Sequence, residues 1–156
     1  MQHQQYEQVV EEAVQYGLDG CTCSESIGAA FGAWLGFDQG SMVGMCGGFA
    51  GGMGFSGETC GVVAAALLVI GVTFGPVSVE DAEARGRIKR LASEFVESFL
   101  RQNGSLVCRD LRGDVDMRSS DGREQLIRSG RPQELIRSGA ALLAELVSRE
   151  KERQRA

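Results

Sequence analysis

The segment that decides the fold of this chain is Gly44-Met-Cys-Gly-Gly-Phe-Ala-Gly-Gly-Met-Gly-Phe-Ser-Gly-Glu-Thr-Cys-Gly61. A stretch so rich in glycine loses much chain entropy on folding, and it needs close backbone packing or the close approach of a ligand. We therefore expect positive φ angles or close backbone contacts in the turn at residues 47–57. Nucleotide binding is not expected, because the segment has no Gly-Lys-Ser/Thr ending and no preceding strand.

A buried helix is predicted directly after this turn, over residues 58–73. These residues are apolar nearly all round, and Gly61 and the alanines at 64–66 are small enough for neighbouring helices to approach closely. The valine and isoleucine content leaves a strand as the lesser alternative, because a short apolar run has no decisive periodicity. Gly75-Pro76 ends the segment.

Helical signals continue on both sides of this segment, as apolar stripes, caps or helix-ending glycines. The further predicted helices cover residues 6–14, Thr22-Cys23-Ser24-Glu25 to Gly36, Gln39 to Gly47, Ser78-x-x-Asp81 to Asn103-Gly104, and a last helix from Pro132. Residues 105–122 are polar and irregular apart from a turn around Cys108. With no alternating strand, the sequence predicts an all-α bundle of about five to six helices in a single domain, residues 1–156.

The bulk properties restrict the class of protein. The net charge of −5 argues against general nucleic-acid binding. The N-terminus lacks the basic and apolar regions of a secretory signal, and the longest apolar run, residues 62–72, is too short to span a bilayer. We therefore expect a cytoplasmic protein that binds neither membranes nor nucleic acid. Structural disulfides are disfavoured there, so the five cysteines should be reduced, metal-bound or redox-active.

Three cysteines are candidates for a shared catalytic site. Cys60 lies beside the start of the buried helix and Cys23 lies just inside the cap of its own helix, where free amide hydrogens and the helix dipole favour a thiolate. Cys108 follows the long helix after a tight turn and could reach the same end of the bundle. We predict that Cys23, Cys60 and Cys108 converge, with Cys60 the most acidic thiol. The only histidine, His3, is near the N-terminus, so the expected site chemistry is that of sulfur.

Packing in the core is the alternative for each cysteine, because a free cysteine is among the most buried residue types. Cys46, among Met45, Phe49 and glycines, fits this alternative best. Cys21-Thr-Cys23 is a weak metal signal, and the chain has no CxxC and no paired Cys/His zinc spacing.

The cysteine segments resemble those of a family of small bacterial and archaeal proteins, named C_GCAxxG_C_C after its pattern, for which redox activity is proposed. The resemblance runs from about Cys23 to Val147. Three segments carry it: Cys23-Ser-Glu-Ser is similar to the family's first cysteine segment, residues 48–61 to its glycine turn and Cys-Gly-Ala-x-x-Gly helix start, and Gly104-Ser-Leu-Val-Cys108-Arg-Asp-Leu to its third cysteine segment. The resemblance implies an all-helical, cytoplasmic, redox-active protein.

The chain departs from the family pattern at two places. Cys60-Gly-Val-Val-Ala-Ala stands where the family has Cys-Gly-Ala-x-x-Gly. Arg131-Pro132-Gln133 stands where the family usually has its last cysteine beside a proline. A site with four thiolates would therefore need Cys46 or Cys21 as a substitute ligand.

The leading functional hypothesis is a thiol-based redox or metal-centre protein. In one form, two thiols exchange electrons as a disulfide. In the other, Cys23, Cys46, Cys60 and Cys108 hold a metal ion or an iron–sulfur cluster, for which four cysteines is the normal complement. The sequence leaves the cofactor, the electron-transfer partner and the question of enzymatic activity open.

The runner-up is a non-catalytic helical interaction module whose cysteines only pack in the core. A homodimer is expected, because the predicted helices carry more apolar faces than a single bundle is expected to bury, and two-fold dimers are the commonest closed assembly.

Overall fold

The computed structural model describes residues 2–156, with side chains from Gln4 onward, and its regular structure is α-helical. The helices are α1 Gln2–Leu18, α2 Cys23–Leu35, α3 Gln39–Gly47, α4 Gly61–Phe74, α5 Ala82–Asn103, α6 Cys108–Arg112, α7 Ser120–Ser129 and α8 Arg131–Arg155. The only extended pairing in this part of the chain is an isolated antiparallel bridge between Thr59 and Val107. The predicted all-α class is confirmed. The side chain of His3 lies outside the described residues.

Helix α4 is the centre of the core. It is buried on most sides and packs against α2, α5 and α8. The approach of α8 depends on Gly139, where an added Cβ would overlap Cγ1 of Val62. The helix begins at Gly61 and not at residue 58, because the backbone from Glu58 to Cys60 pairs with the segment before α6. The strand alternative for this segment is wrong.

The remaining helices complete one buried apolar cluster around α4. Helix α1 packs against α8 and α2, and α3 packs mainly against α2. The largest fully buried side chains are those of Phe31, Phe95 and Phe99, which come from α2 and α5. The apolar face of α8 is also buried within the chain. Among the described residues, no helix is both long and apolar enough to cross a membrane.

The start of α2 is fixed by the predicted capping box. The N–H of Glu25 donates to Oγ1 of Thr22 at 3.3 Å, and the N–H of Thr22 donates to Oε2 of Glu25 at 2.9 Å. These reciprocal bonds satisfy two amide groups that a helix start otherwise leaves free. Cys23 is therefore held as the first residue of the helix.

Helices α6 and α7 lie partly or wholly in the segment that was expected to be irregular. The described residues therefore form eight helices, more than the five to six predicted. Helix α6 has only five residues, too few to show an apolar period. Helix α7 buries only Gly122 and Leu126, so its apolar stripe is weak. Helix α8 has Pro132 in its first turn, close to the predicted start.

The glycine turn between α3 and α4 follows the left-handed backbone region over five consecutive residues. Their φ angles are 62° at Gly51, 77° at Gly52, 62° at Met53, 64° at Gly54 and 63° at Phe55. The turn is closed by backbone hydrogen bonds between residues six positions apart. For example, the N–H of Glu58 donates to the carbonyl of Gly52 at 3.0 Å. The predicted positive φ angles are confirmed.

Candidate functional site

A cavity of about 230 Å³ lies where α2, α4 and α8 begin. The glycine turn, α6 and α7 complete its wall. Much of the wall is apolar, with the side chains of Phe55, Leu111, Leu126, Leu135 and Ile136. Cys23, Cys60 and Cys108 all lie on this wall, although they come from three separate segments of the chain.

The antiparallel bridge places Cys60 and Cys108 on neighbouring backbones. The N–H of Cys60 donates to the carbonyl of Leu106 at 2.8 Å, and the N–H of Cys108 donates to the carbonyl of Glu58 at 2.6 Å. Thr59 and Val107 form the bridge pair. Because side chains alternate along extended backbone, Cys60 and Cys108 project from the face opposite to that pair.

Cys23 reaches the same cavity because α2 and α4 begin next to each other. Gly61 permits this contact: an added Cβ would lie 3.2 Å from the carbonyl oxygen of Phe49 and 3.3 Å from Cβ of Ser24. Ser24 itself is fully buried beside Cys23. A larger residue at the start of α4 would separate the two helix starts, and with them Cys23 and Cys60.

Gly52 makes a second close approach, to Cys108. A Cβ at this position would lie 2.5 Å from Cβ of Cys108 and 2.8 Å from the backbone nitrogen of Glu58. The glycine turn therefore serves the site directly. It lets the backbone at Gly52 pass against Cys108, which keeps that thiol on the cavity wall.

Burial dominates the ionisation of two of these thiols. It raises the pKa of Cys60 to about 11, although the backbone amides of Val62 and Val63 in the first turn of α4 act to lower this pKa. Burial likewise raises the pKa of Cys23 to about 12, and the nearby Cys60 and Cys108 raise it further. The expectation that the helix start makes Cys60 an acidic thiol is wrong, because loss of water outweighs the effect of these amides.

Cys108 combines burial with a cationic partner. Burial raises the pKa of its thiol, whereas the charge and the hydrogen bond of Arg112 lower it. Nη1 of Arg112 donates to Sγ of Cys108 at 3.7 Å. Of the three thiols, Cys108 is the one whose anion receives a hydrogen bond from a cationic side chain in the described part of the chain.

Cys46 is not on the cavity wall. It is fully buried between α2 and α3, where a Cβ added at Gly28 would lie 2.8 Å from its sulfur. Burial raises its pKa to about 11, and Glu25 adds to the rise. The packing alternative for Cys46 agrees with this position. Cys21, by contrast, lines the cavity.

The predicted metal ligands are not assembled in this structure. Within residues 4–156, no group of three or more His, Cys, Asp or Glu side chains is placed to hold a metal ion. The set of Cys23, Cys46, Cys60 and Cys108 fails first at Cys46, because the α2–α3 packing holds that sulfur away from the cavity. The donor arrangement does not fit a four-thiolate centre.

Three arginines on the wall were not singled out from the sequence: Arg112, Arg123 and Arg131. Nε of Arg131 donates to the carbonyl of Leu111 at 2.9 Å, and Nη1 of Arg123 donates to the carbonyl of Met117 at 3.1 Å. One signal could have found Arg131, since it lies in the stretch that corresponds to the family's last cysteine. No sequence pattern marks Arg112 or Arg123, whose positions depend on α6 and α7.

The order of the cysteines around this wall agrees with a family-level match. The pattern of the family described as "Putative redox-active protein (C_GCAxxG_C_C)" matches residues 21–146. The chain belongs to this family. The matched residues contain every cavity-lining residue except Gly17 and Gly20. No curated protein and no solved structure matches the chain.

Proposed function

We propose that this protein is a thiol–disulfide redox protein in which Cys108 and Cys60 exchange electrons with a disulfide substrate. The observation that carries the proposal is the common cavity, whose wall includes Cys23, Cys60 and Cys108. All five cysteines are free thiols. Membership of a family described as redox-active supports the same chemistry.

The reaction begins with attack by the Cys108 thiolate on one sulfur of the substrate. A bond forms between Cys108 Sγ and that sulfur, the substrate S–S bond breaks, and the first product leaves as a thiolate that takes up a proton. The Cys60 thiolate then attacks Cys108 Sγ and displaces the second product thiolate. Two protein thiols have lost two electrons to form a disulfide, and the substrate disulfide has become two thiols. A dithiol reductant reverses the oxidation of the protein.

The assignment of the attacking thiol follows from the contacts of each sulfur. The nucleophile is the thiolate, and a neighbouring cation increases its population. Arg112 donates to Cys108, whereas no side chain among the described residues donates to Cys60, which is more deeply buried. Cys60 is offset diagonally from Cys108 across the Thr59–Val107 bridge, and we assign it as the resolving thiol. Cys23 lies on the same wall as a second possible partner for the mixed disulfide.

Disulfide trapping tests this proposal. Reduced protein receives one equivalent of bis(2-hydroxyethyl) disulfide, is quenched with acid and alkylated, and its peptides are analysed by mass spectrometry. We expect a Cys60–Cys108 disulfide with Cys46 alkylated. Cys60→Ser should accumulate a mixed disulfide at Cys108, and Cys108→Ser should prevent the first step. Cys46→Ala is the matched control, because it removes a cysteine outside the cavity. Oxidation confined to Cys21 and Cys46, or no reaction at any cysteine, would overturn the proposal.

The same chemistry agrees with a cytoplasmic location, which remains part of the proposal. A dithiol site needs a reducing pool to return it to the thiol state, and the cytoplasm keeps thiols reduced. Fractionation of cells that express the protein, with alkylation of its thiols before lysis, would test both the location and the reduced state.

The metal-centre hypothesis has less support, because the described side chains do not form a donor group. Metal analysis of protein purified without oxygen tests it directly. About one equivalent of iron or zinc that is lost in Cys60→Ser would favour that hypothesis over thiol exchange.

We still propose a homodimer, but the argument from unburied apolar helix faces is weaker. The face of α8 that suggested it is buried within the chain against other helices. A dimer would therefore have to use another surface. Light scattering at micromolar concentration decides between a dimer and a particle of 16.7 kDa.

A further inference from the structure

We propose that the cavity selects small disulfides with acidic ends and an apolar middle, through the guanidinium groups of Arg112, Arg123 and Arg131. This inference rests on the proposed thiol–disulfide function and names the class of substrate. Carboxylate is the commonest such acidic group and is the one used in the tests below.

The charges on the cavity wall are all of one sign. Its three arginines are accompanied by no Asp or Glu among the described residues that line it. Arg131 forms an ion pair with Glu134 at 3.0 Å, but Glu134 is exposed and lies off the wall. Arg112 and Arg123 form no ion pair with any carboxylate in residues 4–156. On a protein with a net charge of −5, this is a local cationic site that a ligand anion would neutralise.

One atom of this group lacks a partner. Nε of Arg112 is buried and makes no hydrogen bond within the described residues, although Nη1 of the same side chain donates to Cys108. A buried N–H without an acceptor is unfavourable, and guanidinium recognises carboxylate through pairs of parallel hydrogen bonds. A carboxylate attracted to this guanidinium would place the rest of the ligand beside the Cys108 sulfur, which the same side chain contacts.

Two further features agree with an anionic ligand of modest size. Helices α2, α4 and α8 all begin at the cavity, and helix starts carry partial positive charge. The volume of about 230 Å³ lies below the range of about 300–1,000 Å³ that is typical of drug-sized ligands. The apolar side chains of Leu126, Leu135 and Ile136 suit a short hydrocarbon segment between the acidic ends.

A matched series of disulfides tests the selection. The three substrates are 3,3′-dithiodipropionate, bis(2-hydroxyethyl) disulfide and cystamine, which are similar in size and carry two negative, no and two positive charges. Each rate is divided by the rate of the same disulfide with 2-mercaptoethanol, which removes the intrinsic reactivity. We expect the dianion to react at least about tenfold faster than the neutral disulfide, and the dication slowest. The preference should shrink in 0.5 M salt, where exposed charges are screened.

Arg123→Gln is the informative variant, because Arg123 is exposed and takes no part in positioning Cys108. We expect the ratio of the dianion rate to the neutral-disulfide rate to fall roughly three- to tenfold, which separates lost charge recognition from any general disturbance of the wall. Arg128→Gln is the matched control on the same helix. Arg128 pairs with Glu124 away from the cavity and should have no effect on either rate.

An unreactive ligand separates this inference from the proposed function. Suberate has the shape of dithiodipropionate with two methylenes in place of the sulfurs. It should protect Cys108 from iodoacetamide, whereas 1,8-octanediol should not. If all three disulfides react at equal normalised rates and suberate does not protect, the inference is overturned and thiol exchange stands. If no disulfide reacts, the proposed function is overturned, and the inference with it, whatever suberate does.

Discussion

Two nitrogen atoms of the Arg112 side chain lie in different surroundings. Its Nη1 donates to the Cys108 sulfur, and its Nε points to no acceptor within the described residues. The first contact favours the thiolate, and the positive charge of the same guanidinium on the cavity wall can attract an anionic ligand. The neighbouring Arg109, three residues earlier on α6, pairs instead with Glu58 outside the cavity. Of these two arginines on one short helix, Arg112 contacts the thiol in the cavity and Arg109 forms an ion pair outside it.

Replacement of Arg112 should slow the reaction of Cys108 with iodoacetamide. In Arg112→Gln the charge that lowers the pKa of Cys108 is lost, so less thiolate is present at pH 7.5. We expect a fall of roughly three- to tenfold in the alkylation rate, measured peptide by peptide with mass spectrometry. Arg112→Lys should recover part of the rate, and Arg109→Gln should leave it unchanged. Equal slowing by Arg109→Gln would show that α6 is disturbed as a whole.

At the scale of elements, the glycine turn and the start of α4 act together on the site. The turn brings Gly52 against Cys108, and the first residue of α4, Gly61, brings the start of α2 into contact. Each of these contacts depends on a missing side chain. Cys23, Cys60 and Cys108 line one cavity because backbones, rather than side chains, lie next to one another there.

Alanine substitutions at Gly52 and Gly54 separate backbone handedness from close approach. Both residues have positive φ, so either change should cost about 1–2 kcal/mol of unfolding free energy. Gly54 has no atoms near an added Cβ, whereas Gly52 faces Cys108 at 2.5 Å. Gly52→Ala should therefore lose more stability and also slow disulfide exchange. Urea unfolding and the exchange rate measure the two effects, and equal behaviour of the two variants would contradict the close-packing role.

Alanine substitutions at two helical glycines should have opposite effects on stability, because only one of these glycines lies in the contact between α8 and α4. Gly139→Ala should destabilise the fold by about 1–3 kcal/mol, because its Cβ would overlap Val62 in a filled core. Gly86→Ala, in the exposed interior of α5 with nothing near the added Cβ, should stabilise by about 0.5–1 kcal/mol. Chemical denaturation of both variants tests this, and a neutral Gly139→Ala would mean that α8 moves away without penalty.

At the scale of the whole molecule, the buried thiols connect stability to pH. Burial raises the pKa of Cys46 and of Cys60 to about 11. In the unfolded chain a thiol ionises near about 8.5, so between these values the folded protein keeps protons that the unfolded chain has lost. The contribution of these protonated thiols to the free energy of unfolding is therefore complete below about pH 8.5. It is lost as the pH rises toward 11.

Alkaline unfolding should show this loss. The free energy of unfolding should fall above about pH 8.5, by up to about 1.4 kcal/mol per pH unit for each buried thiol. Cys46→Ala should be less stable than the parent chain at neutral pH through lost packing, but its decline between pH 8.5 and 10.5 should be shallower than that of the parent chain. Urea unfolding under reducing conditions gives both slopes, and parallel curves across this window would contradict the assignment.

The sequence predicted the parts of this molecule that depend on local chemistry. The capping box before Cys23, the positive φ angles of the glycine turn and the helix that follows it all have residue-level causes. Helices α6 and α7 were missed because α6 is too short to show an apolar period and α7 buries only two residues, so neither has a clear apolar stripe in the sequence. The acidity of Cys60 was predicted from its helix start, and the prediction failed because burial is a property of the folded chain. The arginines on the wall were missed because their positions, too, depend on how the chain folds.

Between Gly51 and Phe55 the backbone follows the path that D-amino acids prefer. Glycine has no handedness and joins that path freely, whereas Met53 and Phe55 each carry the strain of an L-residue in a mirror-image conformation. Both side chains are partly exposed, and of the two only Phe55 lines the cavity. In stereochemical terms, residues 51–55 form a short D-like peptide made from glycine and L-amino acids. Over evolutionary time its chirality should favour glycine, asparagine and aspartate at Gly51, Gly52 and Gly54, and so keep the backbone path along one wall of the cavity constant.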